Sequence, residues 1–233
     1  MPQTLGHSRF SAAIFDMDGL LVDSERVTLR AWMGAARARG IALAEADYLQ
    51  VVGRASTDSD AMLSALLGGP QVFEQMLADV AVRLSDAGPE PLFPLKPGAA
   101  PLLHALRQAG VPCAVASSSR RDEIEHRLGR VGVLQHFHAW AGGNEVPRGK
   151  PDPALYQLAA ERLGVEPAQC LAFEDSENGA RAAQAAGIAV VIVPDLKHPA
   201  ADVAERSHGV LKSLLQAHEH LPCWFAMAAT VKN

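Results

Sequence analysis

Cysteine is scarce in this chain. Cys113, Cys170 and Cys223 are all that its 233 residues contain. They are far apart, odd in number and without metal-ligand spacing, so they point to reduced thiols in a cytoplasmic setting rather than to a disulfide framework. Long apolar runs are lacking as well. None approaches the ~18 uninterrupted residues of a membrane span, and the N-terminus has no basic-then-apolar secretion pattern. Excess positive charge is absent too: the net charge is -5, which gives no general attraction to nucleic acid or to an anionic membrane. An anionic ligand must therefore be held by a few local groups. Internal repeats and low-complexity tracts are also missing. What remains is an ordinary globular composition, 48% hydrophobic and 20% charged. Its length suits one large domain or two unequal ones. The expectation is a cytoplasmic protein, a monomer or weak dimer, with no nucleic-acid or membrane partner.

Short apolar runs bounded by turn residues recur at Ser11 to Phe15, Val111 to Ala116, Ala139 to Ala141, Cys170 to Phe173 and Ala189 to Val193. Segments with helical spacing lie between the later runs: Ala99 to Gln108, Asp122 to Val131, Ala154 to Leu163 and Gly179 to Ala186. Strand alternating with helix predicts a parallel sheet covered on both faces, a Rossmann-like α/β/α core. Gly110, Gly132, Gly164 and Gly187 stand where left-handed helix C-caps are required. From Ser24 to about Glu90 the pattern changes. Helical periodicity at Val27 to Arg39, Ala46 to Val52, Asp58 to Leu67 and Val72 to Leu84 is followed by a stiff Pro-rich exit, GPEPLFPLKPG. This predicts a small helical domain, residues 24–90, inserted into a core formed by residues 1–23 and 91–233.

In open parallel sheets ligands bind beyond the carboxyl ends of the strands. The polar residues there are Asp16 and Asp18 after the first run, Ser117 and its neighbours in SSSRRD after the second, and Glu174 and Asp175 after CLAF. Lys150, in RGKPDP, precedes a predicted helix. Each has an ordinary alternative. Ser117 to Asp122 could cap the next helix, Glu174 and Asp175 could be a solvated turn with Ser176 as cap, and Lys150 could be surface charge. Asp16 and Asp18 straight after a buried strand repel each other unless a cation sits between them. A calcium loop of EF-hand type would put Gly19 and Glu25 in register, but Ile14 would fall at the first ligand position. A Walker-type phosphate loop fails because Pro151 follows Lys150.

The ordered set Asp16-Met17-Asp18-Gly19, Ser117, Lys150 and Glu174-Asp175 resembles the haloacid dehalogenase superfamily. DMDGLLVDSE, the helical insert, GKPDPALY and EDSENGARAAQAAG look like its phosphatase and β-phosphoglucomutase branch with a small helical cap. The resemblance covers nearly the whole chain except the last ten or so residues. It implies that Asp16 is the nucleophile that forms an aspartyl-phosphate, and that Asp18 gives a proton to the leaving alcohol and then activates water. It also implies Mg²⁺ held by Asp16, the Asp18 backbone carbonyl and Asp175, with Glu174 as a ligand or supporting acid. Ser117 and Ser118 would then bind the phosphoryl group and Lys150 would neutralise charge. Asp23 and Ser24 are expected to cap the first cap helix and to act as a hinge. Gly53, Arg54 and Asp58 are the candidates for the inner face of the cap.

The mutases carry a histidine in the first cap helix and a basic residue three positions after the cap glycine. Thr28 and Ser56 stand at those places here. The implied activity is a phosphatase of small phosphorylated metabolites, sugar phosphates above all, with a β-phosphoglucomutase-type mutase as the alternative. A receiver-type phospho-acceptor domain uses similar residues, but it would be much shorter and would need no helical insert.

Overall fold

The computed structural model describes residues 10–52, 56–85 and 88–226; the side chains of residues 56–58 lie outside the description. Strand β1 (Ala12–Phe15) reads AAIF and is buried throughout, as befits a central strand of a parallel sheet covered on both faces. It pairs in parallel with β2 (Cys113–Ser117) on one side and β4 (Cys170–Glu174) on the other. With β3 (Ala139–Gly142), β5 (Ala189–Ile192) and β6 (Gly209–Val210), the sheet order is β3-β2-β1-β4-β5-β6.

Alternate strand residues feed opposite layers. Phe15, Val115, Leu171 and Phe173 pack towards α5 (Ala99–Gln108), α6 (Arg121–Arg130) and α10 (Leu214–Trp224). Ile14, Ala114 and Ala172 face α7 (Ala154–Leu163), α8 (Glu177–Ala185) and α9 (Ala201–Glu205). The expected left-handed caps are in place, with φ of +70°, +71°, +67° and +77° at Gly110, Gly132, Gly164 and Gly187. β6, α9 and α10 lie outside the strands and helices expected from the sequence pattern.

Between β1 and α5 lie α1 (Ser24–Ala38), α2 (Glu45–Leu49), α3 (Ser56–Leu67) and α4 (Pro70–Arg83). They bury a separate apolar cluster that includes Leu29, Trp32, Tyr48, Leu63, Phe73 and Met76. Trp32 stacks on Phe73 with centroids 6.0 Å apart. This is the helical cap of an α/β core, inserted after the first strand. The outgoing and returning chain segments run side by side: Asp23 N–H donates to the Pro94 carbonyl and Lys96 N–H to that of Leu21, both at 2.8 Å.

The expected capping of α1 is not realised. Asp23 occupies the N-cap position without a side-chain cap bond. Its carboxylate instead accepts from Arg26 at 3.1 Å and lies 3.8 Å from Lys96. Two cations outcompete the weak pull of a helix N-terminus. The buried Ser24 hydroxyl has no hydrogen-bond partner among the described residues.

Candidate active site

The register that pairs Phe15 with Phe173 brings the ends of β1 and β4 together. Their rings stack 4.8 Å apart, and Asp16 N–H donates to the Phe173 carbonyl at 3.0 Å. Past Asp16 the chain turns tightly, with the Met17 carbonyl accepting from Leu21 and Val22 at 2.9 and 3.1 Å. Gly19 makes the turn at φ +83°, and a Cβ there would fall 2.3 Å from Asp175 Oδ2. Only a hydrogen fits between this loop and the acid that follows β4.

Glu174 is fully buried and both of its oxygens are taken. Oε1 accepts from Lys150 and from the Tyr156 hydroxyl, the latter at 2.8 Å. Oε2 accepts from the backbone of Asp175 and Ser176 and from the Ser176 hydroxyl at 3.1–3.2 Å. Ser176 also caps α8. Gly179 leaves the space for this, since a Cβ there would lie 1.8 Å from Glu174 Oε1. The solvated-turn reading of Glu174 is therefore replaced by a buried acid at the sheet edge. The surface-charge reading of Lys150 falls as well. Its side chain is 6% exposed, and its ammonium lies 2.5 Å from Asp16 Oδ1 and 2.5 Å from Glu174 Oε1.

One cation cannot neutralise this many acids. Burial, the largest cause, pushes Asp16 well above the ordinary carboxylate range. Lys150 pulls it down, and Glu174 and Asp18 push it up. Asp175 is raised by burial and then by Asp16, Glu174 and Glu25. Burial alone would lower Lys150, but Asp16 and Glu174 outweigh it and hold the ammonium charged. Glu25, in the first turn of α1, is pushed up to about 7 by burial and by the nearby charges of Asp18 and Asp195.

The positive deficit has a natural remedy. Asp16, Glu174 and Asp175 each offer a carboxylate oxygen, all within 4.8 Å of one another. An all-oxygen set of this kind suits a hard divalent cation. Because Glu174 is already satisfied by protein donors, Asp16 and Asp175 are the members with oxygens to spare.

The Asp18 carboxylate turns away from that cluster. Its Oδ2 accepts from the Ser119 hydroxyl at 2.8 Å and lies 3.4 Å from the Ser117 hydroxyl, and its Oδ1 accepts from Arg127 at 2.7 Å. Ser117 is buried at the end of β2, and its oxygen accepts from Ser119 N–H at 3.1 Å. Ser118 is exposed. The structure thus brings Asp16, Asp18, Ser117, Lys150, Glu174 and Asp175 together at one sheet edge. Gly53 and Arg54 lie outside the described residues, as does the side chain of Asp58. Tyr156, Ser119 and Arg127 were not foreseen. The Arg127 contact spans 109 positions of sequence, whereas Tyr156 is the last residue of GKPDPALY and Ser119 lies inside SSSRRD.

Residues 10–187 match the family model of the haloacid dehalogenase-like hydrolases. The chain belongs to this family. It is 36% identical over 181 residues to a validoxylamine A 7'-phosphate phosphatase of Streptomyces hygroscopicus subsp. limoneus, covering 77% of this chain and 83% of that protein. It is 30% identical over 203 residues to a phosphorylated carbohydrates phosphatase of Thermotoga maritima, covering 87% and 86%. A solved Thermotoga maritima structure, provisionally named a β-phosphoglucomutase, superposes with a TM-score of 0.75 at 27% identity, covering 91% of this chain and 100% of that one. Together the family match and the relatives place the chain among the phosphoric monoester hydrolases with a helical cap. Family membership and the inserted cap set aside the receiver-type reading. Among the described residues no helix is long and apolar enough to cross a membrane.

Proposed function

We propose that the chain is a Mg²⁺-dependent phosphatase of small phosphorylated metabolites, sugar phosphates foremost, working through an aspartyl-phosphate on Asp16. The observation that carries this reading is the division of labour between two aspartates two residues apart. Asp16 is paired with Lys150 and faces Glu174 and Asp175, while Asp18 faces Ser117 and Ser119. Asp16 has a role at phosphorus and Asp18 a role at the leaving group.

An Asp16 oxygen attacks phosphorus; the bond from phosphorus to the alcohol oxygen breaks, and its electron pair leaves with that oxygen. Asp18 supplies the proton the alcohol then carries. Water next attacks the same phosphorus and gives its proton to Asp18, and the Asp16 carboxylate is regenerated. Lys150 holds the attacking carboxylate in place and offsets charge on the phosphoryl oxygens. Ser117 is placed to donate to one of those oxygens. Mg²⁺, held by Asp16, Asp175 and the Asp18 carbonyl with Glu174 in support, would supply the charge that lets these acids and a phosphoryl dianion share one site. The cap would close over the site to exclude water and read the leaving group.

The phosphatase names of the relatives support hydrolysis over the mutase alternative, as does Thr28 where the mutases carry a histidine. The test is phosphate release from a panel of phosphorylated metabolites and from p-nitrophenyl phosphate. Mg²⁺ is expected to activate, and chelator or Ca²⁺ to suppress. If glucose 6-phosphate formed from β-glucose 1-phosphate faster than inorganic phosphate, and only with glucose 1,6-bisphosphate present, the mutase reading would replace this one.

A further inference from the structure

We infer that Arg127, on α6, is a positioning residue that fixes which oxygen of Asp18 exchanges the proton with the leaving group. The inference rests on the phosphatase reading above. Arg127 occupies Asp18 Oδ1 at 2.7 Å, and the same guanidinium nitrogen lies 3.2 Å from the Ser119 hydroxyl, which itself holds Oδ2. Oδ2 is the oxygen on the Ser117 side, where the phosphoryl group would sit. The carboxylate is thereby clamped in one rotation, with one oxygen committed to Arg127 and the other facing the reacting centre.

Arg127 is itself held on two other sides. Glu123, one turn earlier on α6, accepts from it at 3.3 Å. Its guanidinium also lies 4.9 Å from the ring centroid of Phe93, in the segment returning from the cap. A planar guanidinium gripped by a carboxylate and an aromatic face has little freedom to wander. Asp18 lies within the tight loop after β1 and has no other cationic partner among its described contacts, so its aim depends on this one side chain. Misplacing a proton donor by about 1 Å can cost around a hundredfold in rate. The pair is partly buried, with side chains 20% and 24% exposed, so its role in the reaction has to be separated from its contribution to stability by experiment.

The leaving group provides the test. An alkoxide needs the Asp18 proton to depart, whereas p-nitrophenolate leaves readily without one. Arg127→Gln, Arg127→Lys and Ser119→Ala are assayed with saturating Mg²⁺ on a hexose 6-phosphate and on p-nitrophenyl phosphate. For Arg127→Gln, kcat on the sugar phosphate is expected to fall about tenfold or more. On p-nitrophenyl phosphate the fall stays below about threefold, and KM moves little on either substrate. Arg127→Lys recovers part of the lost rate. If Arg127→Gln does not fold, Ser119→Ala carries the same comparison: a loss skewed towards the sugar phosphate upholds the clamp. Equal losses on both substrates, or no loss on either, overturn the role given to Arg127 while the phosphatase reading stands. A wild-type enzyme that releases phosphate from neither substrate overturns both.

Discussion

The Tyr156 hydroxyl donates to Glu174 Oε1 at 2.8 Å, on the same oxygen that holds the Lys150 ammonium. Glu174 is thereby a buried anchor for the cation, and Lys150 stands between it and Asp16. Removing Lys150 leaves two buried acids without a counter-charge, which costs about 3–5 kcal/mol when a buried pair is broken. Lys150→Met should lose activity by at least about a hundredfold. It should also be destabilised more at pH 8 than at pH 5, because burial raises Asp16 above the ordinary carboxylate range and its anion, left without Lys150, costs more as pH rises. Chemical denaturation at the two pH values checks this, and a pH-independent loss would contradict it.

Asp175→Asn should raise the Mg²⁺ concentration for half-maximal activity about tenfold or more and lower the plateau rate. The basis is its place within 4.8 Å of the Asp16 and Glu174 oxygens, combined with the shortage of positive charge there. A Mg²⁺ titration that superimposes on wild type would remove Asp175 from the metal site.

Gly19→Ala places a methyl group 2.3 Å from Asp175 Oδ2 at φ +83°. The left-handed backbone alone costs about 1–2 kcal/mol, and Asp175 must also move. Thermal melting should therefore show a loss of stability, and the Mg²⁺ requirement should rise together with it. A destabilised variant with an unaltered Mg²⁺ requirement would separate the loop from the metal.

Glu25 gives a pH signature. Its folded pKa, about 7, lies above its ordinary 4.5, so the folded chain binds the extra proton between those values. That contribution is present below pH 4.5 and is lost as pH rises through 7. Glu25→Gln, which never ionises, should be more stable than wild type at pH 8 by about 1–3 kcal/mol, with the gap closing near pH 5. The comparison belongs in chelator, because a bound cation would pull Glu25 back towards its ordinary range. A gap that is the same at both pH values would contradict the buried-acid assignment.

Much of this site was legible because single residues carry strong local constraints. Two aspartates directly after a wholly apolar strand demand compensation, and glycines at four helix ends demand positive φ. Lys150 is held between Gly149 and Pro151, and this confined setting marked it out. What escaped depended on tertiary context. Arg127 looks like any solvated helix arginine until α6 folds against the β1 loop. Tyr156 looks like an apolar position of an amphipathic helix. Asp23 invites an N-cap reading, and only the fold brings Arg26 and Lys96 to it. β6 is two residues long, and α10 carries Pro222 within it, so neither presents a clear periodicity.

The central claim, that Asp16 carries the phosphoryl group, is tested most directly by trapping. The enzyme is quenched in acid during turnover of a sugar phosphate with Mg²⁺, reduced with borohydride and digested, and the peptide spanning Phe10 to Arg26 is analysed by mass spectrometry. An aspartyl-phosphate at Asp16 is reduced to homoserine at that position, and Asp16→Asn should yield neither the reduced residue nor released phosphate. Reduction at a different residue, or an Asp16→Asn enzyme that still turns over near the wild-type rate, would contradict the account.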